Sequence, residues 1–292
     1  MTKTTNWQDW REEASDVCAV PLAQRLAALL DQDAMALRAG DPLPQGWHMI
    51  LFTPLAPQST LGPDGHPTGQ AHFGPPELPR RMLGGRRTRF LAPLPLDAKV
   101  WRVSEVAGMT EKQARSGRLA VVTLRHTIGV ADAPAPALIE EQDVLYREAI
   151  ATEAPAAGKS APTPDLGAAA AADAVAPHPA PVHTRTLTPG PALLFRYSAI
   201  TFNAHRIHYD APYATGTEGY PALIVNGGLT MLLLIEMLKA VVPAPLRLTT
   251  ARNRRPLFCG RPLRLCIAPA ATGWSLWAED DKGRIALEAS AE

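Results

Sequence analysis

The chain has 292 residues, of which 46% are hydrophobic and 20% are charged, and its formal net charge is +1. This composition is sufficient for a buried core, and the nearly neutral charge gives no reason to expect a nucleic acid or an anionic membrane as a partner. The three cysteines, Cys18, Cys259 and Cys266, are too few and too scattered for a disulfide framework or a zinc site. We therefore expect structural thiols in a reducing compartment.

The first residues are polar and acidic and show no pattern of a signal or transit peptide. The longest apolar run, Leu229–Ile235, is far shorter than the roughly 20 residues that a membrane-spanning helix requires. The sequence thus predicts a cytoplasmic protein.

Helical signals open the chain. We expect a short helix over Trp7–Val17 and a second helix that begins at Pro21, where leucines recur at helical spacing. Turn-forming residues then dominate up to Arg81. After that point the pattern predicts strands over Arg89–Leu91, Lys99–Val106, Arg118–Val130 and Ala137–Tyr146.

Alanine and proline dominate the middle of the chain. Between Ala151 and Val182, 13 of 32 residues are alanine and six are proline, a composition that buries little surface. We expect a linker at residues 151–184, which divides the chain into a first half (residues 1–150) and a second half (residues 185–292).

The second half repeats the order of the first in a shorter form. The segments R-R-T-R-F-L-A-P-L-P-L and R-N-R-R-P-L-F-C-G-R-P-L both precede a predicted strand, which indicates an internal duplication. The predicted elements are an opening strand at Ala192–Tyr197, a His-rich loop, a helix at Gly228–Val241, and strands at Leu246–Leu257, Leu263–Ala268, Trp274–Glu279 and Arg284–Leu287.

The predicted helix is apolar on all sides from Leu229 to Ile235 except at Thr230, so we expect it to be buried. An antiparallel sheet wrapped around one buried helix would cover it, and that arrangement is the hot-dog fold. Two copies predict an α+β double hot-dog, in which two antiparallel sheets each wrap a central helix, with an N-terminal helical extension.

The His-rich loop, Phe202–Asp210, reads F-N-A-H-R-I-H-Y-D, and a glycine pair opens the buried helix soon after it. Polar side chains beside the free N–H groups of a helix start are typical of sites that polarise a carbonyl group.

These segments resemble the MaoC-like hydratases and dehydratases of acyl thioesters. The variant in this chain is similar to the subgroup that contains mitochondrial-type 3-hydroxyacyl-thioester dehydratases and mesaconyl-C4-CoA and itaconyl-CoA hydratases. In the first half, A-P-Q-S-T-L-G-P-D-G-H-P, P-R-R-M-L-G-G and E-E-Q-D-V-L-Y-R resemble the same subgroup. The resemblance implies a double hot-dog hydro-lyase that acts on an acyl-CoA substrate without a metal or redox cofactor, with coenzyme A only as part of the substrate. It leaves a homodimer open.

The family motif D-x-N-P-x-H aligns with the His-rich loop. The alignment puts His208 on the catalytic histidine, Asn203 on the aspartate, His205 on the asparagine and Arg206 on the proline. The resemblance implies that His208 transfers the proton, because a histidine titrates near working pH. Asn203 would orient the water or the substrate, and the N–H of Gly227 would polarise the thioester carbonyl.

Further residues of the loop are expected to contact the substrate. Arg206 either anchors a substrate carboxylate or a CoA phosphate, or pairs with Asp210 or Glu218. Asp210 is a second carboxylate at the site or the group that fixes the His208 tautomer. His205 packs the loop or touches the substrate.

Tyr209 is expected to form a wall of the site, and Gly228 shares the helix start with Gly227. Asn226 stands where the family usually has a histidine, and it retains the ability to donate a hydrogen bond. The first half, with His66 in its D-G-H-P turn, is expected to be a non-catalytic partner that shapes the acyl pocket.

Three alternatives remain open from the sequence. One is a 3-hydroxyacyl-ACP dehydratase with the same fold, and another is a non-catalytic protein that binds acyl thioesters. A thioesterase is disfavoured because it needs a carboxylate where Asn203 stands. As a separate hypothesis, coenzyme A phosphates bind some residues of two basic clusters, which contain Arg80, Arg81, Arg86, Arg87, Arg252, Arg254 and Arg255.

Overall fold

A computed structural model describes residues 7–67, 73–78, 80–114, 117–148 and 178–292. In these ranges the chain forms ten strands and three α-helices, joined by loops, short 3₁₀ turns and one π-helix. In chain order they are β1 (Arg11–Val17), α1 (Val20–Leu29), β2 (Arg80–Phe90), β3 (Lys99–Ala114), β4 (Gly117–Val130), β5 (Pro136–Arg147), β6 (His183–Leu187), α2 (Pro191–Ile200), α3 (Gly227–Val241), β7 (Leu248–Asn253), β8 (Leu263–Pro269), β9 (Trp274–Glu279) and β10 (Ile285–Ala291).

The strands form one antiparallel sheet in the order β1-β3-β4-β5-β2-β7-β10-β9-β8-β6. From the centre outward, the first half contributes β2, β5, β4, β3 and β1, and the second half contributes β7, β10, β9, β8 and β6. Each half thus arranges its own five strands in the same order, as the predicted duplication requires. The two predicted sheets are thus present, and they join edge to edge where β2 pairs with β7, from Gly85 opposite Arg252 to Arg89 opposite Leu248.

Helix α3 is the central helix of the second half. Every residue from Leu229 to Ile235 is buried, and the helix packs against β8, β9 and β10, which confirms the prediction from its apolar sequence. The corresponding element of the first half is only a 3₁₀ turn, Trp47–Ile50. Gly46 opens this turn so close to α3 that a Cβ atom would lie 2.9 Å from Ile235 Cδ1.

One hydrophobic core extends through both halves. It contains Leu26 of α1, Leu194 of α2, Leu232 of α3 and Leu265 of β8, all fully buried. Because the halves share this core as well as a sheet, they fold as one body. No helix within the described ranges is long and apolar enough to span a membrane.

The prediction of a helix over Trp7–Val17 is wrong. Only Trp7–Asp9 is helical, as a 3₁₀ turn, and strand β1 follows and pairs along its whole length with β3. The segment R-E-E-A-S-D-V carries no apolar stripe at helical spacing, so backbone pairing to the edge of the sheet determines its structure. Its exposed charged residues are typical of an edge strand.

The prediction of a strand over Ala192–Tyr197 is also wrong, because this segment is helix α2. Pro191 occupies the first turn, where its missing N–H costs no hydrogen bond. The buried residues Leu194, Tyr197 and Ser198 lie three and four positions apart and so share one helix face. A short apolar run does not distinguish a strand from a helix by itself.

Most of the predicted linker, residues 151–177, lies outside the described residues. Strand β6 begins at His183, inside the predicted bounds of the linker, and pairs with β8. Its sequence, H-T-R-T-L, is too polar to have predicted a strand. The other strands were placed correctly, although β2 begins at Arg80, well before the predicted Arg89.

Candidate active site

The His-rich loop connects α2 with a π-helix, Tyr213–Thr217, that precedes α3. Its fold is held locally: the side-chain oxygen of Asn203 accepts a hydrogen bond of 3.0 Å from the backbone N–H of His205. A 3₁₀ turn then runs from Arg206 to His208 and directs the last histidine inward.

His208 is buried and retains 8% of its exposure. Its Nδ1 lies 2.8 Å from the carbonyl oxygen of Ile224, which only accepts hydrogen bonds, so Nδ1 carries the proton. Nε2 therefore holds the lone pair. Burial lowers the pKa of His208 from 6.5 to about 4, although the bond to Ile224 opposes the shift, and the ring is neutral at physiological pH.

Three imidazole rings follow one another at this point. The ring of His205 lies 5.5 Å from that of His208 and 4.1 Å from that of His66, measured between ring centroids. Burial, helped by its two histidine neighbours, lowers the pKa of His205 to about 3. On the far side, His66 Nδ1 lies 3.0 Å from a carboxylate oxygen of Asp64.

The turn that carries Asp64 and His66 belongs to the first half but contacts the His-rich loop directly. The Arg206 backbone N–H donates to the Asp64 carbonyl at 2.9 Å, and Arg206 Nη1 donates to the Pro63 carbonyl at 2.8 Å. Gly65, at φ +90°, approaches Ala204 so closely that a Cβ atom would overlap the Ala204 carbonyl. Both halves therefore build this site, in which the sequence had predicted catalytic residues from the second half alone and a first half that only shapes the acyl pocket.

Arg206 forms the ion pair that was one of its predicted alternatives. Its Nη2 lies 2.7 Å from Asp210 Oδ2, and its guanidinium lies 4.0 Å from the centre of the Tyr213 ring. Asp210 also accepts from the Tyr213 backbone N–H, so it caps the following turn. It is the Ile224 carbonyl, and not Asp210, that fixes the His208 tautomer.

Tyr209 lies at the rim of the site, with 44% of its surface exposed, and its hydroxyl donates to the Ala204 carbonyl at 2.9 Å. This contact stabilises the loop. Its predicted role as a wall of the substrate site stays a prediction.

The two glycines at the start of α3 leave no room for a side chain unless a neighbouring side chain moves. A Cβ atom at Gly228 would lie 2.5 Å from the hydroxyl of Tyr197, and one at Gly227 would lie 2.7 Å from the side-chain oxygen of Asn253. The N–H groups of the first helical turn have no intrahelical acceptor and so can serve a ligand.

Asn226 precedes this turn and is 3% exposed. Both polar atoms of its side chain lack a hydrogen-bond partner among the described residues. Leaving a buried amide unpaired costs about 1–3 kcal/mol. A ligand that bonds Asn226 would remove this cost, so the orphaned amide indicates a binding position.

A cavity beside Gly228 is lined partly by the first half. Its wall includes His48, Arg86 and Met231, and behind it His48 Nε2 lies 2.8 Å from the buried Glu140. Although burial alone raises the pKa of Glu140, the charges of Arg86 and His48 hold it well below its usual range. Sequence analysis missed this cluster, and its one signal was an acidic residue on the buried face of a strand.

Among the described residues, one group has a geometry that suits a metal ion. The ligand atoms of Asp64, His66 and His205 lie within 4.8 Å of one another. The expectation of a metal-free site stays a prediction. In the basic clusters, Arg87 pairs with Asp143 and Arg254 pairs with Glu288, so these two cations already have carboxylate partners.

Comparison with known proteins identifies the family. The model of the hydroxyacyl-thioester dehydratase type 2 family matches residues 46–259. The mesaconyl-C(4)-CoA hydratase of Chloroflexus aurantiacus is 39% identical over 295 residues, which cover 99% of this chain and 98% of the relative. The mitochondrial hydroxyacyl-thioester dehydratase type 2 of Schizosaccharomyces pombe is 39% identical over 97 residues, 32% of each chain.

Solved structures support the fold. A MaoC-like dehydratase from Phytophthora capsici aligns with a TM-score of 0.68 at 14% identity, covering 99% of this chain and 96% of that one. A Mycobacterium tuberculosis protein described as a double hot-dog aligns with a TM-score of 0.56 at 15% identity, covering 100% and 98%. These likenesses confirm the predicted double hot-dog. The chain belongs to the hydroxyacyl-thioester dehydratase type 2 family and is an enzyme that adds water to an acyl thioester or removes it.

Proposed function

We propose that the protein catalyses the reversible hydration of a short, branched or dicarboxylic α,β-unsaturated acyl-CoA of the mesaconyl-C4-CoA or itaconyl-CoA type. The support for this substrate class is the 39% identity to a mesaconyl-C(4)-CoA hydratase over 99% of the chain. Coenzyme A enters only as part of the substrate in this proposal, and no metal or redox cofactor takes part.

The observation that carries the proposal is the state of His208. Its Nδ1 proton is committed to the Ile224 carbonyl, and burial keeps the ring neutral, so Nε2 is a free base inside the protein. In hydration, this nitrogen takes a proton from water while the water oxygen bonds to the β-carbon of the substrate. The released electron pair moves to the thioester oxygen as an enolate.

The start of α3 supplies donors for that oxygen. The N–H of Gly227, or that of Gly228 beside it, polarises the thioester carbonyl and stabilises the enolate, a contribution of about 3–4 kcal/mol for one such donor. Asn226 is buried next to these groups, and no described residue pairs with its amide, so it bonds the acyl or thioester group. The side-chain oxygen of Asn203 accepts a hydrogen bond within the loop, so its NH₂ group is the part that can donate to the water.

The test is a panel of enoyl-CoA esters, with mesaconyl-C4-CoA and itaconyl-CoA against crotonyl-CoA, followed by loss of the ultraviolet absorbance of the conjugated thioester. We expect the branched or dicarboxylic esters to be hydrated fastest. His208→Ala should lower kcat/KM by about 10²–10⁴, the usual contribution of a general base. Circular dichroism of the variant serves as the control for folding.

Each alternative gives a different result in this assay. Release of free thiol without hydration would indicate a thioesterase, and binding without turnover would indicate a non-catalytic protein. Faster hydration of the same acyl groups on acyl carrier protein than on coenzyme A would show that acyl carrier protein is the carrier. A fully active His208→Ala variant would overturn the assignment of the base. Homodimer formation and a cytoplasmic location stay predictions.

A further inference from the structure

Strand β2 directs alternate side chains to opposite faces of the sheet. Arg87 and Arg89 lie on one face, and Arg89 is exposed. Arg86 and Thr88 lie on the other face, where both line the cavity beside Gly228. Arg86 therefore faces the interior of the protein, although it belongs to a run of basic residues.

Arg86 has a nearby carboxylate but no hydrogen bond to it. Its Nε lies 3.4 Å from Glu140 Oε1, and the two groups are not aligned, so Nε has no hydrogen-bond partner among the described residues. Glu140 is bonded instead by Gln142 Nε2 at 2.7 Å, His48 Nε2 at 2.8 Å and Thr88 Oγ1 at 3.2 Å. A guanidinium presents five N–H donors in a planar fork that fits a carboxylate. Arg86 thus retains donors for an anion in the cavity.

The cavity connects Arg86 with the start of α3. Gly228 lines the same wall, and a Cβ atom there would lie 2.5 Å from the hydroxyl of Tyr197. Burial raises the pKa of Tyr197 to about 12, and the positive charge of Arg86 opposes this shift. The guanidinium is therefore near the helix turn that is proposed to hold the thioester carbonyl.

The size and lining of the cavity suit a short acyl group with a negative charge. Its volume is about 330 Å³, part of which is open to solvent. Ligand sites usually measure about 300–1,000 Å³, so this one is at the small end. Phe90, Met231 and Ile235 provide apolar surface, and none of the described residues that line the cavity is acidic.

A substrate of the mesaconyl-C4-CoA type carries its second carboxylate on the β-carbon, three bonds from the thioester carbonyl carbon. With the carbonyl at the start of α3, this carboxylate reaches into the cavity beside the same turn. Moving an anion into a partly apolar cavity is costly unless a cation pairs with it. Arg206, the anchor considered from the sequence, is bonded to Asp210 instead.

We propose that Arg86 binds the free carboxylate of the substrate and so determines the preference for a dicarboxylic acyl group. This inference rests on the proposed hydration reaction and names the residue that selects its substrate. It assigns Arg86 to the acyl group and not to the phosphates of coenzyme A.

The test measures kcat/KM of Arg86→Met and Arg86→Lys on mesaconyl-C4-CoA, 3-methylcrotonyl-CoA and crotonyl-CoA. 3-Methylcrotonyl-CoA has a methyl group in place of the free carboxylate, and crotonyl-CoA lacks the branch as well. We expect Arg86→Met to lower the value for mesaconyl-C4-CoA by about 10²–10³ and those for the other two esters by less than about threefold, since they have no carboxylate to pair. Arg86→Lys keeps the charge but not the planar fork, so the loss should be smaller, about tenfold.

Two further variants serve as controls. Arg89→Met removes an exposed cation from the opposite face of the same strand and should leave all three values unchanged. Because Arg86→Met leaves the buried Glu140 without this cation, the double variant Arg86→Met with Glu140→Gln removes both charges. It should show the same loss of preference, and circular dichroism checks that each variant is folded.

An unchanged preference for mesaconyl-C4-CoA in Arg86→Met and in the double variant would overturn this inference. An equal loss for all three esters would also overturn it, because that result indicates a contact with coenzyme A or damage to the fold. In both cases the wild-type enzyme still measures the hydration reaction itself. A wild-type enzyme without preference for the ester that carries a carboxylate would instead overturn the proposed substrate class, and this inference with it.

Discussion

His208 differs from an ordinary histidine in its surroundings. It is buried, no carboxylate of the described residues pairs with it, and the group at its Nδ1 is a backbone carbonyl. Such a contact fixes the tautomer, but it does not offset the cost of burying a positive charge. The imidazole therefore stays a base at a pH where an exposed histidine is already half protonated.

This state predicts the acid side of the pH profile. Since the pKa of His208 is lowered to about 4 and the base works in its neutral form, kcat/KM should fall only as the pH drops toward that value. Between pH 7 and 5.5 we expect a change on the acid side of less than about twofold. Circular dichroism at each pH checks that the enzyme is folded. A midpoint near 6.5 would contradict the assignment.

The residues of the site differ in how far the sequence reveals them. His208 was predicted because it ends a long motif, and its neighbours follow within a few positions. The contribution of Asp64 and His66 was missed because their turn lies far from the loop in the sequence. The hydrogen-bonded residues Arg206 and Pro63, for example, are 143 positions apart. Sequence spacing carries no information about such a contact.

Among the elements, α3 shows why its first residues are glycines. The free N–H groups of a helix start can bind a ligand only if side chains do not block the backbone. At Gly228 there is also no space for a side chain, because the Tyr197 hydroxyl occupies the position that a Cβ atom would contact. The buried phenol of Tyr197, with a pKa raised to about 12, is neutral and cannot easily move into solvent.

Gly228→Ala should therefore displace Tyr197 and the first turn of α3 together. We expect the free energy of unfolding to fall by about 1–3 kcal/mol, as for other overpacked sites. We also expect kcat to fall, because the displaced N–H groups no longer donate to the thioester carbonyl. Urea denaturation and the absorbance assay measure the two effects. Gly108→Ala is the matched control, because no atom in the described part of the chain lies within 4 Å of the added Cβ. Unchanged kcat in Gly228→Ala would count against the role of this turn.

The two mispredicted elements have a common cause. Strand β1 is polar and helix α2 is a short apolar run, so neither has a hydrophobic periodicity that identifies its secondary structure. Contacts with neighbouring elements decide it instead. Pairing with β3 decides the structure of the first, and burial of Leu194 and Tyr197 on one face decides that of the second. Helix α3 was predicted correctly because its sequence alone demands complete burial.

At the scale of the whole molecule, buried histidines link stability to pH. Burial lowers the pKa values of His126, His205 and His208 from 6.5 to about 4, 3 and 4. Below pH 6.5 the unfolded chain binds protons that the folded chain does not, so stability is complete above 6.5 and is lost as the pH falls toward 4.

The free energy of unfolding should thus be lower at pH 5 than at pH 7, by up to about 2 kcal/mol for each of these histidines. Carboxyl groups contribute little in this window because their ordinary pKa values lie near 4. Urea denaturation at both pH values measures the difference. In His126→Gln, which lies away from the His-rich loop, the difference should shrink by about 1–2 kcal/mol. Equal stability at both pH values would contradict this account.

The central junction of β2 and β7 makes each half depend on the other for the pairing of its edge strand. Each half ends its own strand set at that junction, so a separated half would present an unpaired backbone edge and would assemble with a second copy of itself. A symmetric pair of second halves would carry two His208 bases but no Asp64–His66 turn. Because one chain carries both halves, they need not be identical: the second half holds the long helix and the base, and the first half holds a 3₁₀ turn in place of the helix and supplies the Asp64–His66 turn.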